Sequence, residues 1–244
     1  MNATPWRLPH APLRASAVTS TVVGLLALLV LALMARTALP VGDLYPLKAS
    51  AAFAAVMLLS FGFLRQHHPF DRFGPANQIT TARAMLVALI AGLIGEARFP
   101  VVAASAAAAS LLVTALDGVD GWIARRHRIA SAFGARFDME IDALLILVLA
   151  ILVWRYQKAP AWVVLSGLLR YAFVAAGLGV PWLKAALPPS RRRQTVCVIQ
   201  FITLTIALMP AVTPPLSALL AAAALLTLVY SFLVDILWLS RHAA

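Results

Sequence analysis

Nine acidic residues occur in the 244-residue chain, and five of them fall between Asp117 and Asp142. Asp117 and Asp120 close one apolar segment, and Asp138 and Asp142 open the next. Helical residues three or four apart share a face, so each pair projects from one side of its helix. A short basic link between two antiparallel helices brings the two acidic faces together. Four carboxylates at such a place repel one another and are costly to desolvate, which bound cations relieve. An all-oxygen carboxylate set suits Mg²⁺, Mn²⁺ or Ca²⁺. Two divalent ions balance four negative charges, and two-metal sites recur where a phosphate ester is attacked. Gly118, Gly121 and Ala124 clear the helix surface beside the acids, and Gly134 does the same at the start of the next helix. Arg125, one turn beyond Gly121, is placed to meet a phosphate or a neighbouring carboxylate. Glu140 points to another face and stays outside the set.

The elements that carry these residues are membrane helices. The chain is 62% hydrophobic and 12% charged, with a mean hydropathy of +0.90, against about 25% charged in ordinary soluble domains. Composition and segment length predict an all-α integral membrane protein with about eight transmembrane helices. The segments run Ala17–Leu39, Lys48–Leu64, Ile79–Gly95, Pro100–Ala124, Ala135–Trp154, Ala161–Val180, Thr195–Met209 and Leu216–Leu239. Proline punctuates the boundaries at Pro40, Pro69, Pro100, Pro160, Pro181, Pro188–Pro189 and Pro214–Pro215, where a residue without an N–H is tolerated. The first segment is longer than a signal-peptide core and is read as a span. Lys and Arg gather in alternate loops, around Arg7, Arg72, Arg125–Arg128, Lys184–Arg193 and Arg241. That asymmetry predicts both termini and the acidic site on the cytoplasmic side. It also accounts for the net charge of +11 through cytoplasmic loops and anionic lipid, with no nucleic acid implied. The single Cys197 excludes an internal disulfide and reads as packing.

Two further groups of charge stand out. Arg170, inside the sixth segment, needs a polar cavity or a route to the interface; an anionic ligand group, such as a phosphate, answers the first. Arg191, Arg192 and Arg193 precede the seventh segment, with Thr195 and Gln200 following. They serve either as a positive anchor on the inner face or, Arg191 and Arg193 above all, as an anion site. Asp235 is expected to pair with Arg241 or with another span.

Asp117-Gly-Val-Asp120-Gly121-Trp-Ile-Ala124-Arg125, eight residues, then Gly134-Ala-Arg-Phe-Asp138-Met-Glu-Ile-Asp142 resembles the signature of the CDP-alcohol phosphotransferases, DxxDGxxAR followed by GxxxDxxxD. Upstream, Pro75-Ala-Asn77-Gln-Ile-Thr80-Thr-Ala-Arg83 looks like the same family's Pro-Asn-x-Ile-Thr-x-x-Arg, with one extra residue between Pro75 and Asn77. The resemblance implies a six-helix core over 73–244, leaving 1–72 as a two-helix N-terminal addition. It implies Asp117, Asp120, Asp138 and Asp142 as ligands of Mg²⁺ or Mn²⁺, two ions in all. Asp142 would also act as general base on the acceptor hydroxyl. Gly121, Ala124, Arg125 and Gly134 would line the cytidine diphosphate side, with Asn77 and Thr80 at the substrate end of the first core helix. The implied reaction is transfer of the phosphatidyl group of CDP-diacylglycerol to an alcohol, with release of CMP.

Among acceptors known in the wider family, the basic residues Arg170, Arg191 and Arg193 favour a phosphorylated one. Glycerol 3-phosphate leads; phosphatidylglycerol, inositol phosphate, serine and choline are the alternatives. The likeness places the chain in the inner membrane of a bacterium, among membrane lipids, and is compatible with a homodimer. An ion-coupled transporter is the reading from another class. It would be expected to show matched halves with broken helices, which the sequence lacks.

Overall fold

A computed structural model of the chain describes residues 11–67, 70–126 and 131–242. Among the described residues there are eight α-helices and no strands: α1 (Ala11–Ala38), α2 (Tyr45–His67), α3 (Pro75–Gly92), α4 (Pro100–Arg126), α5 (Ala132–Arg155), α6 (Leu165–Gly179), α7 (Arg191–Leu208) and α8 (Leu216–His242). Short 3₁₀ turns at Ala161–Val164 and Pro181–Lys184 flank α6. The expected segments all appear as helices, and proline marks their described ends as anticipated; Pro69 lies outside the described residues. Pro75 occupies the first turn of α3, where its missing N–H costs nothing. Gly74 before it has φ of 80°, a backbone state that side-chain-bearing residues avoid. Several boundaries differ from expectation: α1, α3 and α7 begin earlier, at Ala11, Pro75 and Arg191. The helix α4 runs on to Arg126, so Asp117 and Asp120 lie about two turns inside it rather than in its last turn. Arg125 and Arg126 take that last turn instead, where positive charge suits the helix dipole.

Among the described residues, five helices contain stretches long and apolar enough to cross a membrane, within α1, α2, α4, α6 with its preceding turn, and α8. The remaining three carry the polar residues that matter below: Asn77, Thr80 and Arg83 on α3, Asp138 and Asp142 on α5, and Arg191–Arg193 on α7. Leu226, Tyr230, Leu233 and Leu237 are exposed along one stripe of α8, the outward apolar surface expected of a helix facing lipid.

The described residues fall into two compact units, one comprising Met1–Val102 and Ala108–Ile141 and the other Ala103–Ala107 and Asp142–Ala244. In the first, α1, α2 and α3 pack against one another. The helix α1 contributes the buried positions Leu13, Ala17, Leu28 and Ala32. Polar contacts fasten the α1–α2 turn to the end of α3. The Gly42 N–H donates to Glu96 at 2.6 Å, Lys48 Nζ pairs with the same carboxylate, and Tyr45 Oη donates to the Leu89 carbonyl at 3.1 Å. At the other end, Phe73, Phe133 and Phe137 form a buried ring cluster with centroids 5.7–6.5 Å apart. That cluster ties the start of α3 to the start of α5.

In the second unit α7 lies along α8. Arg192 donates to the Ser231 carbonyl and to Asp235, both at 2.5 Å, and Arg193 reaches Asp235 at 3.1 Å. Asp235 therefore bonds across to another helix, the second of the two pairings anticipated for it. Gln200, fully buried, donates through Nε2 to the Ala224 carbonyl. The α5–α6 loop is held by Lys158, whose buried ammonium donates to the carbonyls of Met209, Pro210 and Val212 at 3.1, 3.2 and 2.6 Å.

Candidate active site

The helix α3 enters the site with buried polar residues. Asn77 Nδ2 donates to the Phe73 carbonyl at 2.5 Å, and Thr81 Oγ1 donates back to the Asn77 carbonyl at 2.8 Å. Thr80, also buried, donates to the Ala76 carbonyl at 3.1 Å. Two turns on from Asn77, Arg83 is wholly buried. Its Nη1 forms ion pairs with Asp117 of α4, at 2.8 Å, and with Asp138 of α5. The two carboxylates are 29% and 37% exposed, so the pair is backed by a buried cation and open on its other side.

The next turn of α5 carries Asp142. One carboxylate oxygen from each of Asp117, Asp138 and Asp142 lies within 4.8 Å of the others. With metal–oxygen bonds of about 2.0–2.6 Å, oxygens around one ion stand up to roughly 4–5 Å apart. The donor set is hard, all-oxygen and anionic, so these residues fit Mg²⁺ or Mn²⁺. Cys197 of α7 lies beside Asp142, its Sγ 3.7 Å from Oδ2, a weak thiol donor to a strong acceptor. Cys197 thus touches one of the acids rather than serving only as packing.

Other expected site residues are distributed as follows. Asp120, Gly121, Ala124 and Arg125 continue along α4 from Asp117; the side chains of Asp120, Ala124 and Arg125 lie outside the described residues, as does the connection 127–130. Gly134, in the first turn of α5, faces Asn77: a β-carbon there would stand 2.9 Å from Asn77 Oδ1. These two residues, expected on separate grounds, meet at one point. Arg170 is half-buried on α6, Arg191 is exposed at the start of α7, and Arg193 is engaged by Asp235 and the Pro188 carbonyl.

Arg83 is the residue that motif reading left out of the site. Its signal was present: an arginine inside the apolar segment Ile79–Gly95, where an uncompensated charge is costly.

A 117-residue stretch is 28% identical to a CDP-diacylglycerol–glycerol-3-phosphate 3-phosphatidyltransferase of Bacillus subtilis (strain 168). The matched stretch covers 43% of this chain and 60% of that relative's length. No solved structure matches the chain. Residues 73–232 match the family described as CDP-alcohol phosphatidyltransferase, well over half the chain, and the protein therefore belongs to the CDP-alcohol phosphatidyltransferase family, a family of integral membrane transferases.

Proposed function

We propose that this protein transfers the phosphatidyl group of CDP-diacylglycerol to glycerol 3-phosphate. The observation that carries the reading is the convergence of Asp117, Asp138 and Asp142 from two helices, within the family's matched region. The acceptor rests on the named activity of the Bacillus relative and on the basic residues Arg170 and Arg191.

In this reading Asp117, Asp120, Asp138 and Asp142 hold two ions of Mg²⁺ or Mn²⁺. Bound there, the ions supply positive charge for the diphosphate and for the departing CMP. Asp142 takes the proton of the acceptor hydroxyl, as a carboxylate within hydrogen-bond reach can. The acceptor oxygen then forms a bond to the lipid-linked phosphorus, and the phosphorus–oxygen bond to CMP breaks. Gly121, Ala124, Arg125 and Gly134 line the cytidine diphosphate side, with Asn77 and Thr80 at the end of α3. The catalytic domain is 73–244, and 1–72 is an added transmembrane hairpin. All eight helices cross the inner membrane of a bacterium, with both termini and the acids on the cytoplasmic side.

The test is CMP release by the purified protein in mixed micelles with CDP-diacylglycerol and one acceptor at a time. Glycerol 3-phosphate is expected to support release, and Asp142→Asn or chelation of divalent metal to abolish it. Equal rates with inositol phosphate, serine or choline would remove the acceptor assignment. No release with any acceptor would remove the reaction.

A further inference from the structure

Arg83 is withdrawn from solvent, yet one nitrogen of its guanidinium serves two carboxylates from two other helices, Asp117 and Asp138. We propose that Arg83 is a positioning residue acting as the resident counter-charge of the metal site. It holds the acidic pair assembled without metal, and it limits how tightly metal is then held. This inference rests on the metal-binding reading of the acids given above.

Two physical facts lead there. A guanidinium does not lose its proton in a protein, so the charge on Arg83 is permanent, and its burial keeps water from screening it. Two carboxylates drawn together without such a partner repel each other. With Arg83 between them, Asp117 and Asp138 are drawn to one point at the open side of the site. The same arrangement sets a cost. A cation bound through those oxygens would lie near Nη1, and two positive charges close together repel strongly in a partly desolvated place. Arg83 therefore trades affinity for pre-organisation.

Its placement is enforced from outside the site. The helix α3 is held at its start by the Asn77 bond to the Phe73 carbonyl and by the Phe73–Phe133–Phe137 cluster. The guanidinium thus reaches the acids from a braced helix.

The experiment is a Mn²⁺ titration, followed by electron paramagnetic resonance, of metal-stripped wild type, Arg83→Gln and Arg83→Lys. Thermal unfolding of each is recorded with and without Mn²⁺. Arg83→Gln is expected to bind Mn²⁺ at least about tenfold more tightly than wild type. Its metal-free form melts lower and recovers more on adding Mn²⁺. Arg83→Lys keeps the charge and stays within about threefold of wild-type affinity. A residue needed only for folding would not tighten metal binding when removed. Unchanged or weaker Mn²⁺ binding by Arg83→Gln overturns the proposal. Should that variant fail to fold without metal, Arg83→Lys decides: wild-type affinity supports the counter-charge, and binding tightened tenfold overturns it. If wild type shows no saturable Mn²⁺ binding, or binds equally well as Asp138→Asn, the metal reading fails and this inference falls with it.

Discussion

Asn77 Oδ1 stands 2.9 Å from the point a β-carbon on Gly134 would occupy, so the starts of α3 and α5 approach as closely as glycine allows. Asn77 cannot easily swing away, because it is buried and its Nδ2 is committed to the Phe73 carbonyl at 2.5 Å. Gly134→Ala is expected to cost about 1–3 kcal/mol through overpacking. It should also lower the rate of CMP release roughly ten- to hundredfold as α5 shifts the acids out of line. Thermal unfolding across the cycle of Gly134→Ala, Asn77→Ala and the double variant checks the cause. In the Asn77→Ala background the added methyl group should cost almost nothing; an equal cost in both backgrounds would assign the strain elsewhere.

Glu96 gives the first unit a pH dependence of definite sign. Burial by itself raises the Glu96 pKa. The hydrogen bonds from Lys48 and the Gly42 N–H, with the Lys48 charge, outweigh burial and hold it below its ordinary 4.5. A carboxyl whose pKa is lowered on folding contributes stability above its unfolded pKa and loses it as pH falls through the folded value. The attachment of the α1–α2 turn to the end of α3 should therefore weaken in acid. Glu96→Gln is expected to cost about 1 kcal/mol at pH 7. Melting curves of wild type and variant should converge as pH drops below 4.5. A gap that persists unchanged to the lowest pH would show that the carboxylate's charge is not what matters.

Much of this was legible from residue order alone, for a physical reason. Apolar runs bounded by proline fix helices locally, and the Asp117/Asp120 and Asp138/Asp142 spacings fix which residues share a turn before any packing is known. The partners of long cationic side chains were not legible. Arg83 stands in the upstream motif with no role assigned to it, and its reach into the acids depends on where α3 lies beside α4 and α5. Asp235 offered two pairings, Arg241 or another helix, and the packing of α7 on α8 decided for Arg192 and Arg193. Gly134 and Asn77, 57 positions apart by their numbering, show the converse: each was singled out by motif, and only folding revealed that they meet.

Lys158 holds the α5–α6 loop against the α7–α8 loop through three carbonyls, and its own carbonyl accepts from Ser217 Oγ at 2.5 Å. Burial pulls its pKa below the ordinary 10.5, the mark of an ammonium taken out of water. Lys158→Met keeps the length of the chain and removes the donors. It is expected to lower stability by about 1–3 kcal/mol through the orphaned carbonyls, seen as a lower melting temperature in detergent. The Michaelis constants for CDP-diacylglycerol and the acceptor should stay within about twofold. A variant as stable as wild type would mean that water replaces the ammonium without loss.

The basic run at the start of α7 divides by what each arginine touches. Arg192 is bound to the Ser231 carbonyl and to Asp235, and Arg193 to Asp235 and the Pro188 carbonyl. Arg191 is exposed. Removing Arg192 leaves Asp235, 10% exposed at its side chain, short of a partner, and breaking such a pair costs on the order of 3 kcal/mol. Arg192→Ala should therefore melt well below wild type. Arg191→Ala should melt as wild type does, since it gives up no bond between helices. If Arg191 meets the phosphate of the acceptor, its loss should instead raise the Michaelis constant for glycerol 3-phosphate about fivefold or more, a charge-assisted hydrogen bond being worth about 1.5–3 kcal/mol. The constant for CDP-diacylglycerol should hardly move. Steady-state kinetics with each substrate varied in turn separates the cases. An unchanged glycerol 3-phosphate constant in Arg191→Ala would return that residue to the role of a cationic anchor at the membrane surface, leaving Arg170 as the remaining candidate for the acceptor phosphate.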